Sequence, residues 1–277
     1  MKHRIAGKFR ELRARNESAL IPFVVAGDPN LDTTAALVRE FAARGADLIE
    51  LGVPFSDPMA DGPANQRAAQ RGLRSGASLA AILSMVSELR KETEIPIILF
   101  GYFNPIFHYG CERLCADAAR AGIDALLVVD LPPEEAGELK MPARANGLDL
   151  ILLLAPTTPI ERARKVVRSA SGFIYYVSVT GVTSARTALA SDIEEHVNNL
   201  RGVTGLPIGV GFGISTPAQA AQVARFSDAV VVGSALSLLI EANADSADLV
   251  NKVAELVGSM KIAMRAARSG QDAAVAS

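Results

Sequence analysis

Tryptophan is absent from this chain, and it carries only three histidines and two cysteines in 277 residues. Two cysteines cannot build a disulfide framework. His3, His108 and His196 lie far apart in sequence, which argues against a zinc site. No sign of charge dominates: 28 Lys and Arg stand against 30 Asp and Glu, for a net charge of −2. That balance offers no footprint for nucleic acid or an anionic membrane. Long apolar runs are missing as well. The longest, residues 150–155, falls far short of the roughly 20 residues that span a bilayer. The opening segment MKHRIAGKFRELRARNE is charged throughout and contains no signal-like apolar core. These absences predict a soluble, cytoplasmic protein, and the length suits one large core.

What is present is repetition. Short apolar runs open at residues 19, 47, 96, 125, 149, 173, 207 and 229. Most are continuously apolar, as strands buried on both faces are. Helix-period segments lie between and after them, over 32–44, 78–91, 112–121, 133–146, 159–169, 191–200, 217–224 and 236–257. Asp32, Ser78 and Thr216 sit where N-caps belong, and Gly45, Gly122 and Gly147 where C-cap glycines do. Pro142, in the middle of one segment, predicts a kink or break. Eight strand–helix units without a linker predict a single α/β domain over 1–268, a (β/α)8 TIM barrel rather than an open doubly wound sheet. It carries an extra N-terminal helix, and residues 269–277 read as a disordered tail. The spacings after strands two and six are longer than the others. In a barrel those loops lie on the catalytic face, so they are candidate lids.

Chemistry concentrates near the strand ends. Glu50 lies inside the apolar run LIELGV, where a carboxylate is costly unless it has a task or is paired to an Arg as a structural ion pair; its place late in the strand favours a task. Burial raises the pKa of such a carboxyl and readies it for proton transfer near neutral pH. Asp57 and Asp61 follow in the proline-rich loop VPFSDPMADGP, which can present carboxylates in a fixed geometry or simply be a solvated turn. GVGFGIS and VVGSAL close strands seven and eight, where barrels often bind phosphate through backbone amides. Cys111 and Cys115 share a helix face and read as packing residues. His108, near a strand end, is a weak candidate for chemistry.

The segment LIELGVPFSDPMADGP (48–63) resembles the signature of the tryptophan synthase alpha subunit family. IPFVVAGDP, FGYFNPIFHYG, LLVVDLPPEE, YVSVTGVT, GFGISTP and VVGSAL match that family in order, over residues 8–260. The resemblance implies retro-aldol cleavage of indole-3-glycerol phosphate to indole and glyceraldehyde 3-phosphate. By the same match Glu50 is the general acid/base, and Asp61 accepts a hydrogen bond from the indole N–H. Tyr175 positions substrate beside Glu50, and Phe23, Leu127 and Phe212 wall the indole pocket. Gly213, Gly233, Ser234 and Ser184 hold the phosphate. Asp57 pairs with Thr183 when two mobile loops close, and residues 179–190 are expected to be mobile. Pro54, Asn104 and Pro105 face a beta subunit that carries pyridoxal phosphate, in an alpha2beta2 tetramer, while this chain needs no cofactor or metal. Val179 and Ser184 stand where many bacterial members have Arg and Gly, and Gly101 replaces a bulkier residue. From the residues alone, another phosphate-binding barrel, such as a sugar-phosphate isomerase, competes with this reading.

Overall fold

The apolar runs become eight short strands: β1 (Ala19–Val25), β2 (Ile49–Gly52), β3 (Ile97–Gly101), β4 (Ala125–Val128), β5 (Asp149–Leu154), β6 (Ile174–Val177), β7 (Ile208–Gly211) and β8 (Ala229–Val232). In this computed structural model they pair in parallel and in chain order, and β1 closes on β8 from Ala19↔Ala229 to Pro22↔Val232. The structure describes residues 3–177, 186–211 and 213–275; the side chains of 186–191 and 271–275 fall outside that description. A closed parallel barrel inside a ring of helices buries both strand faces, which is why the runs do not alternate.

The described helices are α1 (Arg4–Ala14), α2 (Leu31–Ala43), α3 (Pro63–Arg74), α4 (Leu79–Leu89), α5 (Phe103–Tyr109), α6 (Cys111–Ala121), α7 (Gly137–Ala145), α8 (Ile160–Val167), α9 (Arg186–Arg201), α10 (Pro217–Ala224), α11 (Ser234–Ala242) and α12 (Leu249–Val275). Their ends follow local chemistry. Ser78 Oγ accepts from the Ala81 N–H, and Thr216 with Gln219 forms a capping box. Gly45, Gly122 and Gly147 all take positive φ, as C-cap glycines do. Asn30, not Asp32, caps α2, its side chain accepting from the Thr33 N–H at 2.8 Å. Asp32 lies in the first turn instead, where its charge suits the helix dipole.

Several expectations need correction. The long stretch after β2 is not all loop, because α3 occupies its second half. After β3 the chain turns at once into α5, so His108 sits exposed on a helix and not at a strand end. The segment 236–257 is two helices. The polar run NADSAD, residues 243–248, separates them, its side chains bonding locally to backbone. Pro142 does not break α7. Pro142 is the sixth of its nine residues and removes one helical hydrogen bond, yet the helix runs on to Ala145. Helix α9 starts at Arg186, ahead of the expected 191; residues 179–185 of the expected mobile loop lie outside the described residues. Helix α12 runs past residue 268 to Val275, and part of the expected tail lies outside the described residues.

The N-terminal end of the barrel is sealed. Ile5, Phe9 and Leu12 of α1 pack against interior residues Ile21, Leu48 and Ile151, with the Phe9 and Phe173 rings 5.7 Å apart. Beside them Lys261 of α12 is buried and donates to Asp47 at 2.8 Å, with the Ser18 carbonyl at 3.1 Å and Glu17 at 3.0 Å. A buried ammonium with three oxygen partners is tolerated, and it ties the last long helix to the starts of β1 and β2. The opposite end, where the strands finish, stays open for chemistry.

Candidate active site

Strand parity decides what enters the barrel. Glu50 in β2 shares the inward face with Leu48 and pairs in register with Phe23 and Ile98. It is 0% exposed, and among the described residues neither carboxyl oxygen has a hydrogen-bond partner. Burial alone pushes its pKa from 4.5 up to about 8. At neutral pH the group is mostly protonated and can give a proton; its conjugate base is reachable and can take one back.

Glu50 lies on the wall of a cavity of about 390 Å³ at the strand ends. Phe23, Phe100, Val129, Leu153, Val177 and Val231 supply its apolar lining. The Phe23 ring meets Phe100 edge-on, with centroids 5.0 Å apart. It also fills the space beside two glycines: a Cβ on Gly52 would come within 2.8 Å of it, and one on Gly233 within 3.1 Å. Those glycines let a large aromatic lie flat against the backbone.

Asp61 reaches the same cavity from the loop between β2 and α3. That loop is pinned. The Tyr102 hydroxyl donates to Asp61 Oδ2 at 2.8 Å and accepts from the Ala60 N–H at 3.0 Å. Gln66 donates to the Asp61 carbonyl at 2.9 Å. Burial raises the Asp61 pKa, while hydrogen bonds from Tyr102 and Asn65 pull it down. Tyr175 enters from β6, buried, its phenol pushed well above the usual range by burial and by nearby Glu50 and Asp61. It stays a neutral hydroxyl.

The far end of the cavity is made of backbone. Gly213 takes φ +73°, and Gly233 is the N-cap of α11, which opens at Ser234. Free amides at a helix start favour an anion. No Lys or Arg lines the cavity among the described residues. Nor, among them, do three or more His, Cys, Asp or Glu gather as a metal site.

Of the residues expected here, Phe23, Glu50, Asp61, Tyr175, Gly213, Gly233 and Ser234 converge on one cavity. Leu127 does not line it. It is fully buried one layer deeper, and Val129, two residues on and of the same parity, forms that wall. Thr183, Ser184, Val179 and Phe212 lie outside the described residues. Asp57 is exposed and accepts from the Ser56 hydroxyl at 2.6 Å. Asn104 is exposed and Pro105 half-buried on α5, but Pro54 is buried against α3 beside Gly72. The expectation that Pro54 faces a partner therefore does not fit this surface. Tyr102, Asn65 and Phe100 escaped the sequence reading. Only Tyr102 had a signal, its place in FGYFNP directly after an apolar run.

The family model for the tryptophan synthase alpha chain matches residues 9–265. The chain belongs to that family. It is 57% identical over 258 residues to the tryptophan synthase alpha chain of Citrifermentans bemidjiense, covering 93% of this chain and 96% of that one. It is 51% identical over 272 residues to that of Gluconacetobacter diazotrophicus, covering 96% and 99%. Among solved structures, tryptophan synthase subunit alpha from Legionella pneumophila superposes with a TM-score of 0.89 at 39% identity, covering 95% of this chain and 99% of that chain. Mycobacterium tuberculosis tryptophan synthase gives 0.85 at 34% identity, covering 94% and 98%. Tryptophan synthase alpha chains are carbon–carbon lyases. They cleave indole-3-glycerol phosphate and pass indole to a beta subunit. They carry no cofactor, and pyridoxal phosphate belongs to the beta subunit. No described helix of this chain is long and apolar enough to cross a membrane.

Proposed function

We propose that this chain performs the family's cleavage with Glu50 and Asp61 as its two working carboxyls. One observation carries the reading: a partnerless buried glutamic acid and a hydrogen-bonded aspartate share one apolar cavity that ends in a helix N-terminus. Protonated Glu50 gives its proton to C3 of the indole ring. The positive charge that results falls on the ring N–H, where the Asp61 carboxylate accepts a hydrogen bond and stabilises it. The Glu50 carboxylate then takes the proton of the side-chain hydroxyl. As the carbonyl forms, the bond from C3 to the side chain breaks and its electrons return to the ring. Indole and glyceraldehyde 3-phosphate leave, and Glu50 ends as it began. Tyr175 orients the reacting carbons beside Glu50. Phe23, Phe100, Val129 and Leu153 hold the ring and exclude water, which strengthens both carboxyls' interactions. The amides of Gly213, Gly233 and Ser234, with the Ser234 hydroxyl, take the phosphate; Ser184 and Thr183 join them from the loop after β6, and Phe212 joins the ring pocket.

The partner reading extends the same face. Met59 is 91% exposed and Phe107 61% exposed, on the loop after β2 and on α5. With Asn104 and Asp57 they offer an apolar, polar-rimmed surface to a beta subunit, in an alpha2beta2 tetramer in the cytoplasm.

Titration calorimetry with indole-3-propanol phosphate, which keeps ring and phosphate but lacks the side-chain hydroxyls needed for cleavage, tests the site. Wild type is expected to bind it. Ser234→Asp, which sets a carboxylate against the phosphate, is expected to weaken binding at least about tenfold. Equal binding by both proteins would remove the phosphate end from this cavity.

A further inference from the structure

The cleavage leaves one polar side chain of the cavity without a task. Among the described residues, the polar side chains on its wall are Glu50, Asp61, Asn65, Tyr175 and Ser234. Glu50 and Asp61 act on the ring and on the hydroxyl that becomes the carbonyl, Tyr175 orients the reacting carbons, and Ser234 holds the phosphate. Asn65 remains. Helix α3 opens at Pro63, so Asn65 stands in its first turn, half-buried. Its amide is already oriented. Asn65 Oδ1 accepts from Ser237 Oγ at 2.9 Å, and Ser237 is 1% exposed on α11. The oxygen end is thus spent on the protein, and the NH2 end carries two donors. Even with one of them turned toward Asp61, the other has no acceptor among the described residues. The helix that carries Asn65 is locked against α11. Arg67 forks onto Glu241 at 2.7 and 2.8 Å, and Arg71 joins Glu241 at 2.9 Å to Asp28 at 2.7 Å.

We infer that Asn65 is a substrate-binding residue: its NH2 donates to the second side-chain hydroxyl of indole-3-glycerol phosphate, on the carbon next to the one that becomes the carbonyl. The inference rests on the proposed cleavage in this cavity. The placement of Asn65 supports it. In sequence it follows Asp61, the group at the ring nitrogen, by one helical turn; in space it is bonded to Ser237, about one turn beyond Ser234 at the phosphate. Asn65 therefore stands between the two ends of the substrate, where the hydroxyl-bearing carbons lie. A hydroxyl taken out of water among Phe23, Phe100, Val129 and Leu153 loses its hydrogen bonds unless the wall returns one. Asn65 is placed to return it. Ser237 is a positioning residue: by holding the oxygen it stops the amide from flipping, so the cavity meets a donor there and not an acceptor.

Two ligands test this together: indole-3-glycerol phosphate in cleavage kinetics, and indole-3-propanol phosphate, which lacks both hydroxyls, in calorimetry, with thermal unfolding of each variant. Asn65→Leu keeps the volume and removes the donors. It is expected to lower kcat/KM for indole-3-glycerol phosphate about tenfold, with most of the effect in KM, since a bond made alike in ground and transition states is lost from binding. The same variant is expected to bind indole-3-propanol phosphate no more weakly than wild type. Asn65→Ala, which adds no bulk, is expected to show the same split between the two ligands. Ser237→Ala keeps the NH2 but loses its aim, and is expected to raise KM by less, about threefold. An unchanged KM in both Asn65 variants would overturn the inference. So would a parallel loss of indole-3-propanol phosphate binding, which would assign the amide to the phosphate or to the shape of the cavity. Either result leaves the proposed cleavage standing. Wild-type protein that neither cleaves the substrate nor binds the propanol analogue would remove that reading, and this inference with it.

Discussion

Glu50→Gln is expected to lose most indole release while folding more stably. The loss is about 10²–10⁴-fold, the worth of a positioned acid and base, because an amide neither gives nor takes the proton. The gain comes from burial. In the unfolded chain this carboxyl titrates near 4.5, and in the fold at about 8. Between those values the unfolded chain has released a proton that the folded chain still holds. Stability therefore falls as pH rises from 4.5 to 8 and levels off above it. A displacement of that size is worth on the order of 3–5 kcal/mol at alkaline pH. Glutamine removes the titration but keeps a buried polar group that costs about 1–3 kcal/mol without partners. Urea unfolding at pH 8.5 is thus expected to show Glu50→Gln more stable by about 1–3 kcal/mol, with the advantage gone at pH 5. A variant no more stable at pH 8.5 than wild type would mean that Glu50 has partners, or a lower pKa, in the working protein.

Gly211→Ala is expected to reduce kcat/KM by about 10²-fold without touching a reacting group. Gly211 ends β7, and the Tyr175 ring lies directly against it: a Cβ there would come within 2.2 Å of the hydroxyl oxygen and 2.7 Å of Cζ. The backbone at Gly211 is ordinary strand, so an alanine is allowed in φ and ψ, and the three closest conflicts are all with Tyr175. That ring is buried and borders the cavity that Glu50 also lines, so displacing it disturbs the site. A shift of about 1 Å at a positioning group costs on the order of 10²-fold in rate, and overpacking costs about 1–3 kcal/mol in stability. Kinetics and a crystal structure of the variant check this together. Full activity with Tyr175 unmoved would show that the contact has slack.

The barrel was legible because its physics is local and repeated. Eight runs that are mostly continuously apolar have few other uses, and each observed strand begins within two residues of its expected place. Caps were readable where one residue decides, as at Ser78, Thr216 and Gly122. Where neighbours compete the signal failed: Asn30 and Asp32 are both good caps, and only chain geometry selects Asn30. Helix α3 was hidden in a long spacing because its first turn, PANQ, has little apolar character. Glu50 was legible because a carboxylate in an apolar strand breaks a rule. Asn65 and Ser237 break none. Each is an ordinary helix-surface polar residue until the fold sets 172 positions of sequence aside and places them 2.9 Å apart. Leu127 shows the same limit in depth: the family resemblance placed it in the wall of the indole pocket, but the layer it occupies depends on barrel stagger, which no single strand encodes.

The most direct measurement of the central claim is indole release from indole-3-glycerol phosphate by the wild-type chain and by Asp61→Asn. The substitution keeps size and can still bond to Tyr102, but it removes the negative charge that faces the indole nitrogen. With Glu50 untouched, wild type is expected to release indole, and Asp61→Asn to do so at least about 100-fold more slowly at pH 7.5. Equal rates from the two proteins would contradict the account, because the cation formed on protonation at C3 would then be stabilised by something other than this carboxylate.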